Sequence, residues 1–456
     1  MPRAWVVVLG DVGRSPRMQY HTLSLCNTPG YTIDLIGQRG SPILNDLQAH
    51  VKHGRLRVTY LPEPPAALAR CPRALRLVLK ALHQLLTLAW LTLFSLPRPN
   101  VILLQLPPAI PTMAVLRAAA LRHGARLVFD WHNYAYTLMG LSMGPRHPLV
   151  RLARRYERRW APTAHAHLCV SRAMAVDLSR AWRVSAAVFY DRPTPALRPA
   201  KIEETHALLQ RLRPDLARPL HPGDWLAAEL AGAASGATPL TVRTAPGQAP
   251  ARRGGRPALV LSSTSWTADE DFGLLLRAAD LYDARGPSDR CEARDLRKGE
   301  SLPRILFVVT GRGAGRAAYE ARLHATAFSH VAFRLLWLAT PDYRLMLGSA
   351  DLGICLHASS SGLDLPMKVV DMFGSGVPVC ALQYPTITEL VQPGVNGVLF
   401  ATAEALAAQL LSLLAGWPER AGQLVELRRG AEAERARGWD EEWGRCVLPV
   451  LQGAET

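Results

Sequence analysis

Lys368 and Asp371 stand three residues apart behind the run Ser359-Ser360-Ser361-Gly362-Leu363-Asp364-Leu365-Pro366. Pro366 can open a helix at its first turn, and residues three apart on a helix share a face. A lysine there suits a diphosphate and an aspartate suits ribose hydroxyls, while Gly362 and Leu363 belong to the small-residue loop that leaves room for the ligand. An ordinary ion pair on a helix is the other reading. Arg312, in Thr310-Gly311-Arg312-Gly313, follows an apolar run at 305–309. An arginine at the carboxyl end of a buried strand is placed to take a phosphate. Gly13 and Arg14 lie in a second glycine loop, Gly10-Asp11-Val12-Gly13-Arg14-Ser15, which lets backbone approach a ligand closely. It lacks the G-x-G-x-x-G spacing and also reads as a plain turn. His132, in Phe129-Asp130-Trp131-His132-Asn133, brings an imidazole to another strand's carboxyl end, where it is either a catalytic base or a structural histidine. Asp269-Glu270-Asp271 has the look of a D-x-D metal site, but Thr267 and Glu270 are spaced as a helix capping box, which is the favoured reading. No metal site is expected, no cofactor is tightly bound, and dependence on a divalent cation is left open.

The elements that must carry these residues are short apolar runs separated by helix-period segments. They fall at 5–9, 32–36, 56–61, 101–104, 127–129, 168–170 and 187–189, then at 258–261, 305–309, 331–335, 352–356 and 378–381. Unalternating strands separated by helices predict parallel sheets covered on both faces, and two such sets predict two doubly wound α/β domains. The expected boundaries are 1–200, 201–416 and a helical segment at 417–456 in which Trp439 and Trp443 share a face. Residues 221–257, rich in Ala, Gly, Pro, Thr and Arg, and residues 284–302 are expected to be disordered insertions.

Apolar residues make up 49% of the chain and charged residues 20%, which excludes fibrous and wholly disordered classes. Lysine and arginine number 53 against 37 acidic residues, a net +16 that points to anionic partners. No nucleic-acid-binding motif accompanies the charge, so no nucleic-acid partner is expected. Seven scattered cysteines without a C-x-x-C pair fit a reducing compartment. Residues 75–96 are apolar but broken by Arg76, Lys80, His83 and Gln84, and the clean part, 85–96, is shorter than the ~20 residues of a spanning helix. It reads as a core helix or as an in-plane membrane helix with Trp90 at the interface. Residues 149–160 place Arg151, Arg154, Arg155, Arg158 and Arg159 on one helical stripe and Leu149, Leu152, Tyr156 and Trp160 on an apolar face, as an amphipathic helix on anionic lipid would.

Several of these runs are recognisable together: Gly10 through His21, Asp130-Trp131-His132-Asn133-Tyr134, Tyr190-Asp191-Arg192-Pro193, Ser262 through Phe272, and Ala350-Asp351-Leu352-Gly353-Ile354-Cys355-Leu356-His357 on to Phe373. They closely resemble the chitobiosyldiphosphodolichol β-mannosyltransferases over nearly the whole chain. The resemblance implies a GT-B fold, two doubly wound Rossmann-like domains facing each other across a cleft. It implies transfer of mannose from GDP-mannose to GlcNAc₂-diphosphodolichol in β1,4 linkage with inversion, at the cytosolic face of the endoplasmic reticulum membrane, with other mannosyltransferases of the pathway as partners. By that analogy Arg312 and Lys368 hold the donor diphosphate, Asp371 holds the ribose, and Gly13 and Arg14 lie in the loop near the reacting sugar. The first domain, with Trp90, Arg151, Arg155 and Arg158, is the acceptor and membrane side, and His132 is expected in the cleft as base, with Glu157 or another carboxylate as the alternative. Two departures stand out. The family usually carries a membrane helix ahead of the first strand, whereas this chain starts almost at that strand. Asp364 and Asp371 stand where many GT-B enzymes carry a more widely spaced pair of glutamates. A different donor or acceptor on the same fold, or an inactive scaffold, are the competing readings.

Overall fold

The computed structural model describes residues 1–234, 236–245, 247–267, 270–285 and 302–453. The chain divides into two compact units, Met1–Asp191 with Trp439–Thr456, and Arg192–Gly438.

The first unit is built on a parallel sheet of β1 (Arg3–Asp11), β2 (Thr32–Gln38), β3 (Leu56–Tyr60), β4 (Val101–Leu106), β5 (Arg126–Trp131), β6 (Ala166–Cys169) and β7 (Ala187–Val188), in the order β3-β2-β1-β4-β5-β6-β7. Consecutive residues Trp5, Val6 and Val7 are all fully buried, because helices cover both faces and no side of β1 meets water. Strand order reverses between β1 and β4, so the loops after these strands part there and open a crevice at the sheet's carboxyl edge. Helices Trp439–Cys446 and Leu448–Gln452 close this unit. The Trp443 indole donates to His21 Nδ1 at 2.8 Å, the Trp439 indole donates to Ser24 Oγ at 2.9 Å, and Trp439 meets the Phe189 ring edge-on.

The second unit pairs a short hairpin, β8 (Thr241–Val242) and β9 (Ala251–Arg252), with a parallel sheet of β10 (Ala258–Ser263), β11 (Ile305–Thr310), β12 (Val331–Leu336), β13 (Leu352–Cys355), β14 (Val379–Leu382) and β15 (Gly397–Phe400). The sheet order is β12-β11-β10-β13-β14-β15, with its reversal between β10 and β13.

Three expectations about organisation are overturned. Residues 417–456 are not one terminal segment. Helix Gly422–Arg435 buries Leu424, Leu427 and Ala431 in the second unit, whereas the following tryptophans return to the first. The expected boundary at 200 likewise moves to 191. The described residues of 221–257 are also folded, not disordered. Asp224 caps helix Trp225–Gly232 through Ala227 N, and its carboxylate takes both guanidinium nitrogens of buried Arg334, at 2.8 and 3.1 Å. Trp225, Leu226, Leu230 and Leu240 join the core, and Arg213 gathers the carbonyls of Leu230, Ala233 and Ala234. Most of the other expected insertion, 284–302, lies outside the described residues, although Leu302 is buried.

Candidate active site

In the first unit the chemistry gathers on Asp130, fully buried near the carboxyl end of β5. Helix Pro16–Asn27 starts on a proline at its first turn and presents Arg17 and His21, four residues apart, on one face. Arg17 donates to both Asp130 oxygens at 2.8 and 3.0 Å, to Asp191 at 2.8 Å and to the Phe189 carbonyl at 2.9 Å. His132 Nε2 lies 2.8 Å and His21 Nε2 3.3 Å from Asp130 Oδ2. Burial would raise the Asp130 pKa, but Arg17 and the two imidazoles overcome it and hold the carboxylate well below its ordinary range. Burial pushes His21 down, consistent with a neutral ring whose Nδ1 accepts from Trp443. His132 is partly exposed, with Nε2 engaged by Asp130, which leaves Nδ1 as the acceptor nitrogen. Arg17, His21 and Asp191 were given no role in the sequence reading. The signal was there in the (i, i+4) pair and the Tyr190-Asp191-Arg192 run, but only the fold brings them to Asp130.

Glu157, the alternative base, is fully buried in helix Pro148–Trp160 and accepts the Ala135 and Tyr136 amides at 2.9 and 3.1 Å. It caps helix Ala135–Met143 and is occupied there. Gly13 and Arg14 sit in a single turn after β1, where Asp11 accepts from Gly13 N at 2.9 Å and from Ser41 N and Oγ. A Cβ on Gly13 would come within 2.3 Å of the Ser41 carbonyl oxygen, so packing alone requires glycine there. Arg14 is exposed, 3.6 Å from Asp11.

In the second unit the loops leaving β10 and β13 meet at the switch point. Lys368, second residue of helix Met367–Gly374, pairs with buried Glu270, whose other oxygen accepts Thr264 Oγ1 at 2.6 Å and Ser265 N at 3.2 Å. The capping-box reading of Thr267 and Glu270 is therefore wrong. Asp271 is the cap of helix Phe272–Asp283, accepting from Gly273 N at 2.8 Å, and Glu270 is freed to hold the lysine 98 residues away. Asp371 hydrogen-bonds the Tyr343 phenol, which burial first and that carboxylate second push up. Arg312 lies on the loop after β11 and stacks on the Trp337 ring at 4.3 Å. β10 separates β11 from β13, so Arg312 and Lys368 leave strands roughly 10 Å apart. Gly311, at φ +142°, packs so closely on Thr264 that a Cβ would fall 1.8 Å from its carbonyl oxygen. Gly362 has φ +73° with open space where a Cβ would stand, and its carbonyl accepts Thr386 Oγ1. Leu363 N donates to Ser361 Oγ, and Asp364 is held by His357 and Ser359. Among the described residues no cluster of His, Cys, Asp and Glu could hold a metal ion.

Helix Arg73–Trp90 runs on through one wide turn, Leu91–Ser95. Leu88, Thr92 and Leu96 are buried, whereas Leu75, Val78, Leu82, Leu86, Trp90 and Phe94 form an exposed apolar stripe. By length and composition Val78–Ser95 is long and apolar enough to cross a membrane, beyond what the clean part alone suggested, and Leu88 on its inner side packs with Leu9, Leu61 and Val115. The Pro148–Trp160 helix has a buried side that the expected pattern did not name. Val150, Ala153 and Glu157 face the core, and Leu149 and Leu152 are exposed beside Arg151, Arg155 and Arg158.

Residues 19–190 match the family model of the glycosyl transferase 4-like domain, and residues 292–416 that of glycosyl transferases group 1. The sucrose-phosphate synthase of Thermosynechococcus elongatus shares the fold at 12% identity, with a TM-score of 0.62 over 100% of both chains. Two parallel sheets with polar groups gathered at their switch-point loops thus define a glycosyltransferase of the GT-B class. The UDP-glycosyltransferase TURAN of Arabidopsis thaliana is 42% identical over 98% of this chain and 97% of its own. The chitobiosyldiphosphodolichol beta-mannosyltransferase of Mus musculus is 41% identical over 98% of this chain and 88% of its own. Within that class, the chain belongs to the chitobiosyldiphosphodolichol β-mannosyltransferase family.

Proposed function

We propose that this chain transfers mannose from GDP-mannose to the chitobiose of a diphosphodolichol lipid, in β1,4 linkage with inversion. The observation that carries the reading is identity of 41% to a relative of that name along nearly the whole chain. In this reading Lys368, oriented by Glu270, and Arg312, stiffened by Trp337, take the diphosphate charge. Asp371 takes the ribose, the Gly362-Leu363 loop borders the donor, and Gly13 and Arg14 serve the loop near the sugar. The acceptor oxygen attacks the anomeric carbon opposite the diphosphate. The bond from that carbon to the diphosphate oxygen breaks with its electron pair on GDP, and the acceptor proton passes to His132 Nδ1, which Asp130 leaves free to receive it.

The working place we assign is the cytosolic face of the endoplasmic reticulum membrane. Residues 64–176 contain 15 lysines and arginines and only two acidic residues, Asp130 and Glu157, and both of those are buried. Such a surface, bearing an apolar stripe, suits anionic lipid. Six cysteines among the described residues are free, which supports a reducing side.

Purified protein given labelled GDP-mannose and a short-chain diphosphate-linked chitobiose should release GDP and yield the β-linked trisaccharide lipid. The name of the Arabidopsis relative favours a second reading, a uridine-linked donor. Turnover with a UDP-sugar and none with GDP-mannose would establish that reading instead, and no turnover with any donor would leave a scaffold.

A further inference from the structure

We propose that a cavity of about 440 Å³ in the first unit is the seat of the acceptor's diphosphate, with the lipid chain lying along the exposed stripe of the Arg73–Trp90 helix. This rests on the lipid-linked acceptor of the proposed function and adds where its charged group is held. The cavity lies where β2 and β3 end and the helix passes over them, at the carboxyl edge of the sheet. The same edge carries Asp130 and His132, and ligands of open α/β sheets bind there.

Gln38, Arg39, Arg76, Lys80 and Gln84 line it, with Glu63 as its acidic group. Arg39 is steadied over the Tyr60 ring at 4.9 Å. Among the described residues none of the three cations is paired with a carboxylate, unlike the buried Arg17, Arg256 and Arg334. Three cations brought together around one hollow repel one another unless an anion joins them. Arg76, Lys80 and Gln84 recur every four residues on the helix face next to the Leu82–Leu86–Trp90 stripe. Polar head and apolar tail of a single lipid would therefore meet adjacent faces of one helix. The wall is fixed, because His83 Nε2 lies 3.2 Å from the Pro62 carbonyl oxygen and pins the proline-rich loop to the helix. A diphosphate, rather than a neutral sugar, matches the excess of two positive charges in the lining.

The test uses the full chain, farnesyl diphosphate as a binding probe, and short-chain diphosphate-linked chitobiose as acceptor in neutral detergent. With Arg39→Gln, Arg76→Gln and Lys80→Gln combined, farnesyl diphosphate binding should weaken tenfold or more. Acceptor KM should rise by the same factor with donor KM unchanged. Glu63→Gln should move both two- to threefold the other way, which a folding defect cannot imitate. If the triple variant keeps its acceptor KM and probe affinity in detergent and loses only binding to phosphatidylserine vesicles, the cations serve bulk lipid and the proposal falls. Wild-type binding of the probe without sugar transfer would overturn the proposed function and leave the diphosphate seat standing.

Discussion

His132 and Asp130 are two residues apart, and their partnership could be read from the sequence because residues two apart at the end of a strand point to the same face. Lys368 and Glu270 could not be read that way. Ninety-eight positions separate them, and glutamate three residues after a threonine imitates a helix cap. His132→Ala should lower kcat by ~10²-fold with donor KM retained, and steady-state kinetics decide it. Asp130→Asn acts differently. It takes the charge from the bidentate partner of buried Arg17 but leaves Asp191 in place, so a loss of about 1.5–3 kcal/mol should appear in denaturant unfolding as well as in activity. Arg312→Ala and Lys368→Ala should each raise donor KM by ~10–100-fold, the scale of one charge-assisted hydrogen bond. Only Lys368→Ala should also lower the melting temperature, because it leaves Glu270 buried and unpaired. Glu157 carries a pH signature. Burial pushes its carboxyl up to about 7 against the pull of two backbone amides. The folded chain then binds that proton more tightly than the unfolded one. The resulting stability is complete below the ordinary carboxyl pKa of about 4.5 and is lost as pH rises through 7. Glu157→Gln should flatten the decline of melting temperature between pH 5 and 7.5.

The buried parallel strands were legible as elements because, covered on both faces, they read as unbroken apolar runs. The strand Gly397–Phe400 and the two-residue strands β8 and β9 were missed, being too short or too mixed to give a period. Residues 221–257 were misread because alanine, glycine and proline resemble a linker in composition, while what fixes them, Arg334 on Asp224, joins positions 110 apart. Removing residues 232–253 should therefore cost the second unit its Leu240 anchor, the His206–Thr241 hydrogen bond and the Arg253–Glu229 pair, and lower its unfolding transition sharply. Scanning calorimetry would show this, and an unchanged transition would return the segment to the status of a loop. The arginine helix was half legible. Its charge stripe was plain, but the deeply buried side is set by small Val150 and Ala153 with capping Glu157, which no hydrophobicity pattern favours over leucine.

At the scale of the molecule, charge is the most uneven property. Residues 64–176 hold 15 of the 53 basic side chains and only two of the 37 acidic ones, so most of the net +16 resides there. Binding to vesicles containing phosphatidylserine should weaken steeply with salt. Reversing Arg151, Arg155 and Arg158 to glutamate should cost about 1 kcal/mol for each charge lost near the surface, whereas Trp90→Ala and Phe94→Ala should weaken binding at every salt concentration. Flotation assays separate the two effects. The return of Trp439 and Trp443 to the Pro16–Asn27 helix has a consequence in time. A ribosome adding roughly 5–20 residues per second makes the whole of Arg192–Gly438 before it makes the piece that seals Met1–Asp191. The unit begun second can settle first, and the unit begun first waits with His21, Ser24 and Phe189 uncovered. A stop codon placed just after Gly438 would therefore damage the unit whose own stretch had been translated earliest.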